Sequence, residues 1–171
     1  MPDLRPAQGG GIAFSAPGQS MNVLAKETIS IDRPAALIFD YVSNMENFGR
    51  WFQGVIAIEA VANEAHGTLG KTYLETVNIQ LRGSRQIKLQ VIESRKPTLF
   101  VTEGDFSPVM PRMEITITEC GLSSRFEWKM YSRNHGILFR ALLLPLIRSE
   151  ITKRAQKSLP RLKAVLEQKT S

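Results

Sequence analysis

Residues 137–168 read ILFRALLLPLIRSEITKRAQKSLPRLKAVLEQ, and the periodicity of this stretch decides the fold. Leu138, Leu142, Ile151, Ala155, Leu159, Leu162 and Leu166 recur at three- and four-residue steps, the spacing of one helical face. Arg140, Arg148, Lys153, Arg154, Lys157, Arg161 and Lys163 fill the remaining faces. At ~1.5 Å per residue the helix is roughly 45 Å long. Pro145 and Pro160 each lack the N–H that a helix interior needs, so each is expected to kink or break it.

Outward from this helix, toward the N-terminus, the period changes to two. In Ser124–Tyr131, Phe126, Trp128 and Met130 alternate with Arg125, Glu127, Lys129 and Tyr131. In Arg85–Glu93, Ile87, Leu89 and Val91 alternate with Gln86, Lys88 and Gln90. Such alternation marks half-buried antiparallel strands. Val23–Ile31, Val55–Val61, Leu69–Ile79, Leu99–Gly104 and Met110–Glu119 are further strands. Cys120-Gly121 forms a tight hairpin turn, glycine supplying the positive φ. After the first strand, Asp32 is placed to cap and Pro34 to open a short helix over Ala35–Val42. Asn44 or Asn47 caps a second short helix that leads to Trp51 and Phe52. Residues 1–22 are rich in Pro, Gly, Ser and Gln and read as a flexible tail; residues 23–169 form one domain. Either Met1 or Met21 could be the start.

With 171 residues, 43% of them apolar and 22% charged, the chain has the composition of a globular protein with a substantial core. The formal net charge of +6 is spread along the chain and serves solubility as readily as an anionic partner. Cys120 is the one cysteine, so no intrachain disulfide forms, which fits a cytoplasmic location. Residues 1–11 lack the basic start and apolar run of a signal peptide. The apolar stretch 137–147 is shorter than the ~20 residues a bilayer span takes.

The segments ISIDRPAALIFDYV (29–42), NMENFGRW (44–51) and GTLGKTY (67–73), in that order before an arginine- and leucine-rich ending, resemble the SRPBCC superfamily. This is the START-like, birch-pollen-allergen-like group, and the likeness is to its polyketide cyclase/dehydrase-like branch. The resemblance covers residues 24–168. It implies an α+β helix-grip fold, in which a curved seven-stranded antiparallel sheet holds the last helix with an apolar cavity between them. It implies no single function, because members include carriers, cyclases, lipid-transfer domains and hydroxylase subunits.

The chemistry-bearing residues are few. His66 and His135 are the only histidines, and no ligand-spaced partner accompanies either, so no metal and no cofactor is expected. Cys120 lies beside Glu119, whose charge disfavours a thiolate. Glycines 9–11 are followed by no Walker lysine. Glu75, Glu103, Asp105 and Glu114 lie on strands or at their ends; two buried together could serve acid–base chemistry, and solvent-facing charge is the plainer reading of each. Trp51, Tyr73, Met113, Trp128, Met130 and Leu142 are the candidate ligand-binding residues, and each serves equally as core packing. No stacking aromatics interleave with the basic residues of the last helix, so nucleic acid is not expected, whereas weak contact with an anionic membrane surface is compatible with them. The expected partner is a small hydrophobic ligand: a lipid, a polyketide-like molecule or an aromatic metabolite. The alternative is a cyclase- or dehydratase-type enzyme using a cavity carboxylate or Tyr73, with catalytic residues otherwise unknown. Oligomeric state is not encoded in these patterns.

Overall fold

The computed structural model describes residues 21–79 and 83–168. Of the segment read as a tail, residues 1–20 lie outside the described residues, and Asn22 opens the first strand.

The chain runs β1 (Asn22–Ile31), α1 (Ala35–Ser43), a 3-10 turn (Met45–Asn47), α2 (Phe48–Trp51), then β2 (Val55–Ala60), β3 (Thr72–Ile79), β4 (Gly83–Arg95), β5 (Leu99–Asp105), β6 (Pro111–Cys120) and β7 (Ser123–Ser132). A π-helical turn (Phe139–Leu143) leads into α3 (Leu144–Glu167). The strands form one seven-stranded antiparallel sheet, ordered β1-β7-β6-β5-β4-β3-β2. Every pair from β2 to β7 is sequential, whereas β1 returns to pair with β7. The two short helices therefore carry the chain from one sheet edge to the other. This is the α+β helix-grip arrangement that the resemblance implied.

Alternation along each strand separates two faces. On β7, Phe126 and Trp128 are fully buried; on β6, Met113, Ile115 and Ile117 are buried. They meet Ile38, Val42, Trp51 and Phe52 from the short helices and Ala155, Leu159 and Leu162 from α3 in one continuous core. Phe52 lies 5.0 Å from Trp128, ring centre to ring centre. The outer face carries charge in cross-strand ladders. Lys26 pairs with Glu127 at 2.9 Å, and Lys129 bridges Glu127 and Glu114. Arg112 and Arg133 both hold Glu103, at 2.9 and 3.0 Å.

Three local expectations change. The strand expected from Leu69 starts at Thr72, because Gly70 turns the chain with φ +84°. Asp32 does not cap α1, whose N-cap is Pro34 without a side-chain bond; instead the Asp32 N–H donates to Glu167 Oε1 at 2.6 Å, tying the end of α3 to the sheet edge. Finally, α3 runs unbroken through Pro160. Pro160 and Gln156, whose carbonyl it leaves unpaired, are both exposed, so water can satisfy that carbonyl, while Leu159 and Leu162 anchor the turn on either side. At Pro145 the helix changes winding: the π turn ends just before it, and Pro145 lacks the N–H that regular α winding would bond to the Ala141 carbonyl.

Candidate functional site

Between the first half of α3 and the curved sheet lies a cavity of about 790 Å³. Its floor comes from Val77 on β3, Ile87 and Leu89 on β4, Thr102 and Gly104 on β5, Met113 on β6 and Met130 on β7. Met45, Phe48 and Phe52 close one side; Leu143, Leu146, Ile147 and Ile151 form the roof. The volume falls within the ~300–1,000 Å³ of small-molecule sites, and the lining is mostly apolar with few polar groups, as such sites are.

Gly104 makes the floor possible. A Cβ there would stand 2.9 Å from Pro111 Cγ and 3.1 Å from Leu89 Cδ2, inside van der Waals contact. At the rim, Gly54 adopts φ +96°, and the Arg154 guanidinium packs directly over it. Arg154 is fixed by its Nε–H, which donates to Glu150 Oε1 at 2.8 Å. Gln53, Asn78 and Arg85 complete this polar side of the mouth.

The one carboxyl on the cavity floor is that of Glu75. It is buried, and its cross-strand neighbours are Ile58 on β2 and Ile87 on β4, both buried. Burial in this apolar setting pushes its pKa from 4.5 up to about 7, with no opposing cause. The other three carboxylates face away. Glu103 and Glu114 are held in the outer ion ladders, and Asp105 is exposed. No two of the four share the cavity.

A model of the family described as polyketide cyclase / dehydrase and lipid transport matches residues 23–167. The chain belongs to this family. It sits within the SRPBCC superfamily, and known structures share its fold. A protein from Thermus thermophilus is 13% identical with a TM-score of 0.67, over 85% of this chain and 98% of the other. A START superfamily protein from Mycobacterium smegmatis is 16% identical with a TM-score of 0.66, over 84% and 97%. The di-domain ARO/CYC StfQ from the steffimycin biosynthetic pathway is 8% identical with a TM-score of 0.66, over 85% of this chain and 51% of that one. No curated protein matches in sequence. At such identities the likeness is one of fold.

Within this member of the polyketide cyclase / dehydrase and lipid transport family, the candidate residues fall in three places. Met113 and Met130 line the cavity. Trp51, Tyr73 and Trp128 are fully buried beside it and do not contribute to its lining. The Tyr73 hydroxyl is 3.1 Å from His66 Nδ1 and its pKa is pushed up to about 12, chiefly by burial. Leu142 is 66% exposed, on the far side of the helix from the cavity. Gly104 and the Gln53–Gly54–Arg154 rim are cavity features that the sequence reading omits, and Glu75, considered there only among the strand carboxylates, is absent from the ligand-binding set. The signal for Glu75 was its parity with Tyr73 and Val77 on one strand, usable once the inner face of that strand is known. Among the described residues there is no cluster of His, Cys, Asp and Glu able to hold a metal, and no helix long and apolar enough to cross a membrane.

Proposed function

We infer that the cavity binds a small, largely apolar molecule bearing one polar group, and that Glu75 meets that group. A single observation carries this reading: one buried carboxyl, without charge partner, stands on the floor of a mostly apolar cavity of about 790 Å³ whose other charged groups, Arg85, Glu150 and Arg154, lie at its rim. A ligand polar group that hydrogen-bonds this carboxyl offsets the cost of burying it. Below about pH 7 the carboxyl is protonated and donates a hydrogen bond, so it suits a carbonyl, an ether or a hydroxyl. Methionines at 113 and 130 adapt to ligand shape. The family description, with its cyclases and lipid transport, is compatible with such a ligand. Organic extraction of the purified protein followed by mass spectrometry tests the reading. A co-purified apolar molecule, displaced by a fluorescent lipid probe, is the expected result; an empty cavity that binds no apolar probe overturns it.

A cyclase- or dehydratase-type enzyme is the second reading, and the near-neutral pKa of Glu75 favours it. A carboxyl that titrates near pH 7 is suited both to give and to take a proton. The two readings separate in Glu75→Gln: a carrier loses affinity for its ligand, whereas an enzyme keeps binding and loses turnover.

A further inference from the structure

The helical segment that roofs the cavity is apolar on two opposite sides. One side is used. Phe139 and Leu144 are buried and pack with Leu24, Val109, Met130 and Ile147. The opposite side is bare: Ile137, Leu138 and Leu142 are 83, 77 and 66% exposed, and Leu146, 69% exposed, lies where this side meets the edge of the cavity. Residues 138, 142 and 146 succeed one another at four-residue steps and so form a stripe along successive turns. A helix apolar all round is normally enclosed, and contiguous exposed apolar surface marks a contact face.

Charge identifies what covers it. Residues 133–149 contain Arg133, His135, Arg140 and Arg148 and no Asp or Glu. Arg133 is held by Glu103. Arg140 and Arg148 flank the stripe, both are exposed, and neither has a carboxylate partner among the described residues; the Arg148 Nε–H donates to the Val23 carbonyl at 2.7 Å. A second copy meeting this face would set these guanidinium groups against their like. A surface of acidic headgroups over acyl chains complements both the cations and the stripe.

We propose that Ile137, Leu138, Leu142 and Leu146 insert into an anionic lipid bilayer, with Arg140 and Arg148 on its headgroups. Leu143, Leu146 and Ile147 belong at once to this segment and to the cavity lining. Docking therefore brings the roof of the cavity to the acyl chains, and an apolar ligand that passes beside these residues enters without crossing water. Only that last step rests on the ligand-binding reading.

The experiment is co-sedimentation of the full chain with vesicles of phosphatidylcholine, alone or mixed with phosphatidylglycerol. Binding to the mixed vesicles, weakening as salt is raised, is expected. The Leu138→Gln/Leu142→Gln double variant should lose at least about tenfold in partitioning. Its thermal midpoint should stay at the wild-type value, since both side chains are already exposed. Arg140→Glu should weaken binding to mixed vesicles more than to neutral ones. The proposal falls if wild type ignores phosphatidylglycerol vesicles or if the double variant binds them equally well. It falls equally if the wild type is a dimer that the double variant disperses, or if binding appears only after residues 1–20 are removed. The readout does not involve the cavity, so failure here and failure of the ligand reading are separate results.

Discussion

Replacing Glu75 by glutamine removes a titrating group from the cavity floor while keeping its size and polarity. In the folded chain the carboxyl has a pKa of about 7, against its ordinary 4.5, because it is buried. Below pH 4.5 it is protonated whether the chain is folded or not, and burial adds no pH-dependent cost. As the pH rises above 4.5 the unfolded chain releases the proton first and gains stability relative to the folded one. The penalty grows until the folded carboxyl also ionises near pH 7 and is constant above that. Each pH unit across this window is worth about 1.36 kcal/mol, so the full penalty is on the order of 3 kcal/mol. Glutamine has no such penalty.

Wild type and Glu75→Gln should therefore be nearly equally stable near pH 4, and the variant should lead by about 3 kcal/mol near pH 8. Other carboxylates and histidines also titrate in this range, but they are common to both proteins and cancel in the difference. Urea unfolding at several pH values reads it directly. With a slope of roughly 1.5 kcal/mol/M, the midpoints should separate by about 2 M at the upper end. A difference independent of pH would refute the reasoning, since it would mean that Glu75 ionises as it does in the unfolded chain. So would a wild type that gains on the variant as the pH rises.

Trp128→Ala removes a fully buried ring that packs, tilted, against Phe52 and should cost about 3–5 kcal/mol in urea unfolding; an unchanged midpoint would place the ring outside the core. Gly104→Val puts branched carbon where even a Cβ stands 2.9 Å from Pro111, and should cost about 1–3 kcal/mol while shrinking the cavity, read as weaker binding of a fluorescent apolar probe alongside the unfolding midpoint. Pro145→Ala restores an N–H just after the π turn, within reach of the Ala141 carbonyl in regular α winding; if the tilt of Phe139–Leu144 governs ligand entry, exchange of a fluorescent fatty acid should slow in stopped-flow release, whereas equal rates and equal affinity would leave Pro145 a packing detail.

The fold was legible because its two periods are clear. Arg85–Val91 and Ser124–Tyr131 alternate, the former up to the bulge that follows Val91, and Ile151, Ala155, Leu159, Leu162 and Leu166 keep one helical phase. The site was less legible for two reasons. On β3, Tyr73, Glu75 and Val77 share one face while Leu74 is 38% exposed on the other, so hydrophobicity leaves the inner side undecided. It is settled by pairing: Glu75 lies between Ile58 and Ile87, and both of those are buried. Strand register is a long-range property that composition within one strand does not carry.

Leu142 shows the second reason, which is helical phase. It precedes Ile151 by nine residues, and at about 100° per residue this is half a turn out of phase. The π turn shifts the phase again at the start of the helix. Phe139 and Leu144, five residues apart and both buried, point inward together because the Leu144 N–H bonds the Phe139 carbonyl. The inserted residue lets the helix start bury Phe139 and Leu144 against Leu24 and Val109 while Leu138 and Leu142 remain exposed. A regular α-helix through the same residues would bring position 140 or 141 inward above Leu144, and Phe139 would leave its place beside Leu24 and Val109. The irregular turn is thus what lets one short segment present apolar side chains both to the protein interior and to the surroundings.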